Sequence, residues 1–274
     1  FGAEVHLRDP KGGMKGILSY CSELLLSVPD CWMAWQFTNE DNVSFHEEVT
    51  GPSITKSVPG QVDYFIAGVG TGGTLEGVAR HLKKVNPSCK IMGLEPSEAR
   101  IHAGEPAKPH GILGIVPGMR SQLIPEPASL VDEWVHSSSD DAVVWAKKAA
   151  IDEGLMIGPS GGAVLKVAAE VSARPEARGK NIVAYLSSHG SRYLGHKLFE
   201  EAVSRFADAM AKDPRSGTLV LSSDAKRSPH PVVMRPSRLP SVLDIIVRAP
   251  PPLATLPARL SEAAGSTIMA LMAF

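Results

Sequence analysis

Residues 62–74 read VDYFIAGVGTGGT. The apolar run Val62–Ala67 is the length of a buried strand. Four glycines then fall within six residues, at 68, 70, 72 and 73, and Leu75–Lys84 continues at helical spacing. A strand that turns through glycines into a helix presents the helix's first N–H groups, and the positive end of its dipole, to whatever lies above the turn. Glycines let the backbone come close to a ligand and take positive φ, and Thr71 and Thr74 add hydroxyls. The stretch therefore suits an anion, a phosphate in particular. A plain strand–helix turn would not need four glycines. A P-loop does not fit, because no Gly-Lys-Ser/Thr follows. A dinucleotide fingerprint does fit in the letter: Gly68, Gly70 and Gly73 spell G-x-G-x-x-G, and Glu95 ends the next apolar run about 20 residues on.

Outward from this stretch the chain alternates. Val5–Leu7 reads as a short strand and Lys11–Ser27 as a helix; Glu40–Gly60 is polar and turn-rich. Beyond the glycines, Lys90–Leu94 and Ile182–Leu186 read as strands, and Val143–Asp152, Ala163–Ala173 and Arg192–Met210 as helices. Alternation with short connections points to an α/β fold, an open, parallel, twisted sheet with helices on both faces. From Asp213 onward the chain holds 9 of its 22 prolines and both periodicities fade. Residues 213–274 are therefore expected to be a disordered, Pro-rich extension to a domain spanning 1–212.

The 274 residues are 43% hydrophobic and 21% charged with net charge −1, so nothing global favours nucleic acid or an anionic membrane surface. No apolar run approaches the roughly 20 residues of a membrane helix. Cys21, Cys31 and Cys89 show no paired spacing and read as reduced thiols, with no metal site. The chain opens on Phe1 instead of Met, which reads as the start of a fragment.

Further motifs occur in order. They are Phe1-Gly2-Ala3-Glu4-Val5 with Asp9–Gly16; Gln36-Phe37 with His46 and Thr50-Gly51-Pro52; the glycine stretch; Gly93-Leu94-Glu95-Pro96; Pro109–Ile115; Glu153–Ala163; and Ser188–Leu194. This series, over residues 1–205, resembles the cysteine synthase (O-acetylserine sulfhydrylase) and cystathionine β-synthase family of fold-type-II pyridoxal-phosphate enzymes. The resemblance implies pyridoxal 5′-phosphate as cofactor, a small amino-acid substrate, a homodimer, no nucleic-acid or membrane partner, and a cytoplasmic site, with plastid or mitochondrion open in a eukaryote. It implies β-replacement: O-acetylserine plus sulfide giving cysteine plus acetate. On matching positions, Gly70, Thr71, Gly72, Gly73 and Thr74 would cradle the cofactor phosphate, Ser188 would face the pyridine nitrogen, and Gln36 and Gly114 would meet the substrate. A neutral hydroxyl leaves that nitrogen largely unprotonated, which suits elimination better than transamination; taken alone, Ser188 reads as a helix N-cap. Glu95 becomes a packing and hydrogen-bonding residue, and His6, His46 and His110 read as structural or surface residues.

The chain also departs from the family. Neither the Schiff-base lysine segment "S-x-K-D-R" nor the "TSGNT" loop occurs, so the sequence names no catalytic residue and the chain alone is expected to be inactive. Val116 and Pro117 replace the second glycine of the "GIG" loop and its neighbour. Gly161 replaces a serine, and Ser187, His189 and Ser191 replace Pro, Phe and Glu around Ser188. Two alternatives stay open: a non-catalytic or regulatory relative, and an NAD-dependent oxidoreductase built on the G-x-G-x-x-G match.

Overall fold

The computed structural model describes residues 2–126, 129–212, 254–255 and 267–272. It divides into two compact units, 1–189 with 253–274, and 190–252.

In the first unit the helices are α1 (Gly13–Ser27), α2 (Glu40–Phe45), α3 (Gly51–Ser57), α4 (Gly73–Val85), α5 (Ser139–Glu153) and α6 (Pro159–Ser172), with a π-helical turn His46–Thr50 joining α2 to α3. The strands are β1 (Tyr64–Gly68), β2 (Lys90–Pro96), β3 (Glu133–Ser137), β4 (Asn181–Leu186), β5 (Ala254–Thr255) and β6 (Thr267–Met272). They form one sheet in the order β3-β2-β1-β4-β6-β5. All neighbours are parallel except β5 and β6. The second unit contains a short 3₁₀ turn, Gly190–Tyr193, and α7 (Glu200–Lys212).

A parallel central strand must be apolar on both faces, and β1 is buried from Tyr64 to Ala67. Phe65 and Ala67 join Leu75, Val78, Ala79 and Leu82 of α4 in the main core cluster. Ile66, fully buried, points to the opposite face by strand alternation, and α6 packs against β1, β3 and β4. Each fully buried Leu, Ile or Phe of this kind contributes about 1.5–3 kcal/mol relative to exposure.

The helix ends follow local chemistry. Ser138 accepts the Asp141 N–H at 3.1 Å to cap α5, and Gly154, at φ +69°, closes it. Pro159 starts α6, where its missing N–H costs nothing.

Strand order β3-β2-β1-β4 places the reversal of winding between β1 and β4. In an open α/β sheet the crevice beyond the carboxyl ends of the strands at that reversal is where ligands bind. The segments leaving β1 and β4 there are Val69–Gly72 and Ser187-Ser188.

Several expectations change. Val5–Leu7 is not a strand; Val5 and Leu7 are 76% and 89% exposed. Glu40–Gly60 is helical through much of its length, with Glu40, Asp41, Glu48 and Lys56 exposed around buried Val43 and Ile54. The helix expected over Arg192–Met210 begins only at Glu200. The strand β3 was not anticipated, since Glu133, Trp134 and His136 are unusual in a parallel strand. Most of the expected extension 213–274 lies outside the described residues. Within it, β5 and β6 are described, and β6 runs parallel to β4 from Asn181↔Thr267 to Leu186↔Met272.

Candidate functional site

Beyond the carboxyl ends of β1 and β4 lies a cleft of about 500 Å³. Its floor is the glycine turn, with Gly68, Gly70, Thr71, Gly72 and Thr74 on the lining. The Val69 N–H is spent in the sheet on Leu94 O at 3.1 Å, and Glu76 N–H is the first to bond back along α4, to Gly72 O at 2.9 Å. The N–H groups at the very start of a helix have no helical acceptor. The Gly73 N–H has only a long contact to Thr71 Oγ1, 3.4 Å.

Glycine is required here twice over. Gly72 sits at φ +93°, and a Cβ on it would fall 2.0 Å from Ser121 Oγ. A Cβ on Gly70 would meet Gly114 O at 2.8 Å. The turn is thus pressed on one side by the 110–117 loop and on another by Ser121.

Side chains hold the turn from outside. Asn42 Nδ2 donates to Gln36 O at 2.9 Å and to Thr71 Oγ1 at 3.0 Å, tying two parts of the cleft together. His46 Nε2 lies 3.0 Å from Thr74 Oγ1, and its Nδ1 lies 2.8 Å from Thr50 Oγ1. Burial pushes the His46 imidazole below its ordinary range, so it is neutral near pH 7. Ser121 Oγ donates to Thr71 O at 2.5 Å and accepts the Leu123 N–H.

The roof is the segment His110–Pro117. Val116 N–H donates to Val69 O at 2.8 Å. His110 Nε2 lies 3.0 Å from Val116 O, so this nitrogen carries the proton and Nδ1 accepts the Ile112 N–H at 3.3 Å. These two bonds hold Val116 at φ +43°, a backbone region a β-branched residue rarely enters. Phe37, Leu75, Ile112, Ile115 and Pro117 make the remaining walls largely apolar.

The structure therefore brings Gln36, Gly70, Thr71, Gly72, Thr74 and Gly114 to one cleft. Gly73 is set behind them, where a Cβ would strike the Asn42 side chain. Ser187, and not Ser188, is on the lining; Ser187 Oγ lies 3.4 Å from Ser160 Oγ, and Ser188 O accepts the Gly158 N–H at 3.0 Å. Asn42, Ser121 and His102 were not anticipated. Asn42 and Ser121 are common surface residue types, and only their contacts across the fold distinguish them.

The arrangement tests well against a phosphorylated ligand: a helix N-terminus, hydroxyls of Thr71 and Thr74, and a surface that any Cβ would fill. No lysine lines the cleft among the described residues.

The profile of a pyridoxal-phosphate dependent enzyme family matches residues 1–188. Among curated relatives, cysteine synthase 3 of Caenorhabditis elegans is 36% identical over 204 residues, 74% of this chain and 60% of that protein. Cysteine synthase A of Escherichia coli is 37% identical over 209 residues, 73% of this chain and 64% of that protein. The chain thus spans under two thirds of the length of both. Among solved structures, a cysteine synthase of Entamoeba histolytica superposes with TM-score 0.68 at 35% identity, over 73% of this chain and 58% of that one. An O-acetylserine dependent cystathionine β-synthase of Helicobacter pylori gives 0.66 at 29%, over 72% and 63%.

Proposed function

This chain belongs to the pyridoxal-phosphate dependent enzyme family, and we propose that it supplies the phosphate-binding and substrate-closing part of a cysteine synthase-type β-replacement enzyme. The observation that carries the reading is the glycine turn Gly70–Thr74 at the α4 N-terminus, facing a cleft whose roof holds Gly114 and whose side holds Gln36.

In this reading the N–H groups of the turn and the Thr71 and Thr74 hydroxyls bind the cofactor phosphate, where a dianion meets the helix dipole. Asn42 and Ser121 keep the turn in shape from behind. Gln36 and the Gly114 loop orient the substrate's carboxylate, and the apolar walls exclude water, which strengthens those polar contacts. Ser188, next in the chain after the lining residue Ser187, would by its motif position give the pyridine nitrogen a neutral partner. Bound pyridoxal phosphate would supply the electron sink for loss of a group from the substrate's β-carbon and its replacement by sulfide. The proton at Cα needs a positioned amine, and among the described residues the cleft lining does not provide one. The chain by itself therefore binds cofactor without turnover. A homodimer in the cytoplasm acting on O-acetylserine completes the reading; among the described residues no helix is long and apolar enough to cross a membrane.

The test is titration of the chain with pyridoxal 5′-phosphate, pyridoxal and NAD. Tight binding of the phosphate ester, at least tenfold weaker binding of pyridoxal, and its loss in Gly72→Asp are expected. Equal affinity for the two pyridoxal forms, or preference for NAD, overturns the reading.

A further inference from the structure

Off the cleft lining, and joined to the glycine turn through Ser121, the chain buries a carboxylate and an imidazole that the proposed chemistry does not use. Glu95, the last-but-one residue of β2, is fully buried, and the His102 side chain is 3% exposed. Every polar atom of His102 is engaged. Its backbone N–H and its Nδ1 both lie 2.8 Å from Glu95 Oε1. Its carbonyl oxygen accepts from the Arg120 guanidinium at 3.0 Å, and its Nε2 lies 3.2 Å from the Ser121 backbone nitrogen. The ring stacks on Trp134, centroids 4.2 Å apart and planes 10° off parallel.

This pattern selects one form of the imidazole. A backbone N–H can only donate, so Nε2 must accept and carries no proton. The proton is then on Nδ1, pointing at Glu95, whose buried carboxylate needs a donor. Glu95 thus sets the tautomer of His102, and the tautomer presents an acceptor to Ser121. Ser121 Oγ in turn donates to Thr71 O at 2.5 Å, at the place where any Cβ on Gly72 would collide with it. His136, the neighbouring imidazole on β3, faces the other carboxylate oxygen at 3.9 Å, too far to hydrogen-bond. It does not compete for Oε1.

We infer that Glu95, His102 and Ser121 form a positioning relay that holds the Thr71–Gly72 peptide in its ligand-binding geometry, with His102 the residue on which the relay turns. The inference rests on the reading of Gly70–Thr74 as a phosphate cradle and assigns that cradle its support. A helix N-terminus binds an anion well only when its N–H groups are already aimed. A relay anchored in the sheet fixes their direction without touching the ligand.

The experiment has two readouts on the whole chain. The first is the imidazole nitrogen spectrum by long-range ¹H–¹⁵N NMR, where His102 is expected as the neutral Nδ1–H form; the Nε2–H form overturns the relay. The second is affinity for pyridoxal 5′-phosphate and for inorganic phosphate in wild type, His102→Leu, His102→Gln and Ser121→Ala, with thermal melts recorded in parallel. Loss of the link from Nε2 to the Ser121 N–H, or of the link from Ser121 Oγ to Thr71 O, should weaken phosphate binding about threefold to tenfold in His102→Leu and Ser121→Ala respectively. Glutamine can place an amide oxygen near Nε2, so His102→Gln should recover most of that loss. A His102→Leu chain that melts cooperatively and binds phosphate like wild type overturns the relay and leaves the cradle standing. If His102→Leu does not fold, Ser121→Ala and His102→Gln decide by the same comparison. Wild type that binds neither probe removes the cradle, and the relay's role with it.

Discussion

Ser121 Oγ donates a hydrogen bond to Thr71 O at 2.5 Å across 50 residues of sequence, and the same oxygen lies where a side chain on Gly72 would have to begin. One serine therefore supports the turn's backbone and keeps position 72 for glycine. This couples stability to ligand geometry at a single point, and the first expectation follows from it.

Gly72→Ala should destabilise the chain by about 1–3 kcal/mol, the cost of a non-glycine residue at strained positive φ with a collision against the Ser121 side chain. Ser121→Gly should recover part of that loss in the double variant, because it removes the colliding oxygen. Urea unfolding of the two single variants and the double one measures the coupling; strict additivity would show that the collision is relieved elsewhere.

Asn42→Ala removes the donor shared by Gln36 O and Thr71 Oγ1. Binding of pyridoxal 5′-phosphate should weaken by about threefold to tenfold, while the melting temperature falls only slightly, since Asn42 is partly exposed. Calorimetric titration beside a melt separates the two.

Cys89 is buried, and burial pushes its thiol up to about 12, whereas Cys31 is exposed. A thiol-reactive disulfide at pH 8 should label Cys31 readily and Cys89 only in denaturant, since the thiolate is the nucleophile. Between pH 9 and about 12 the unfolded chain gives up the Cys89 proton while the folded chain keeps it, so stability should fall as pH rises through that window. Cys89→Ala should flatten the decline, as read from urea midpoints.

Burial holds the His46 and His136 imidazoles below the ordinary value of 6.5. On acidification through 6.5 the unfolded chain takes up these protons before the folded chain does, so stability should be present above that pH and be lost below it. His136→Leu should reduce the slope of stability against pH between 6.5 and 5. An unchanged slope would assign the acid sensitivity to other groups.

The structure and the sequence agree at the glycine stretch, where the signal is local. The run at 62–67 and the glycines after it are read correctly as strand, turn and helix because each depends on neighbours within a few residues. The strand β3 escaped because Trp134 and His136 lie against the cluster around Glu95, and polar or aromatic residues there imitate a surface segment. The helices within 40–60 escaped because charged and turn-forming residues occupy their exposed faces, leaving Val43 and Ile54 to make the buried contacts.

By itself the sequence determined a parallel α/β sheet, a glycine turn between β1 and α4, and the family, because periodicity, glycine backbone freedom and an ordered series of motifs are all written along the chain. Only the tertiary structure decided how that turn is held. Asn42 meets Thr71 from 29 residues away, His102 meets Ser121 from 19, and Ser121 meets Thr71 from 50. Hydrogen bonds between such common residue types leave no periodic trace; those of Ser121 exist because the parallel sheet brings the carboxyl ends of β1 and β2 side by side, so that the loops leaving those ends pack against one another, and that of Asn42 because α2 packs on α4.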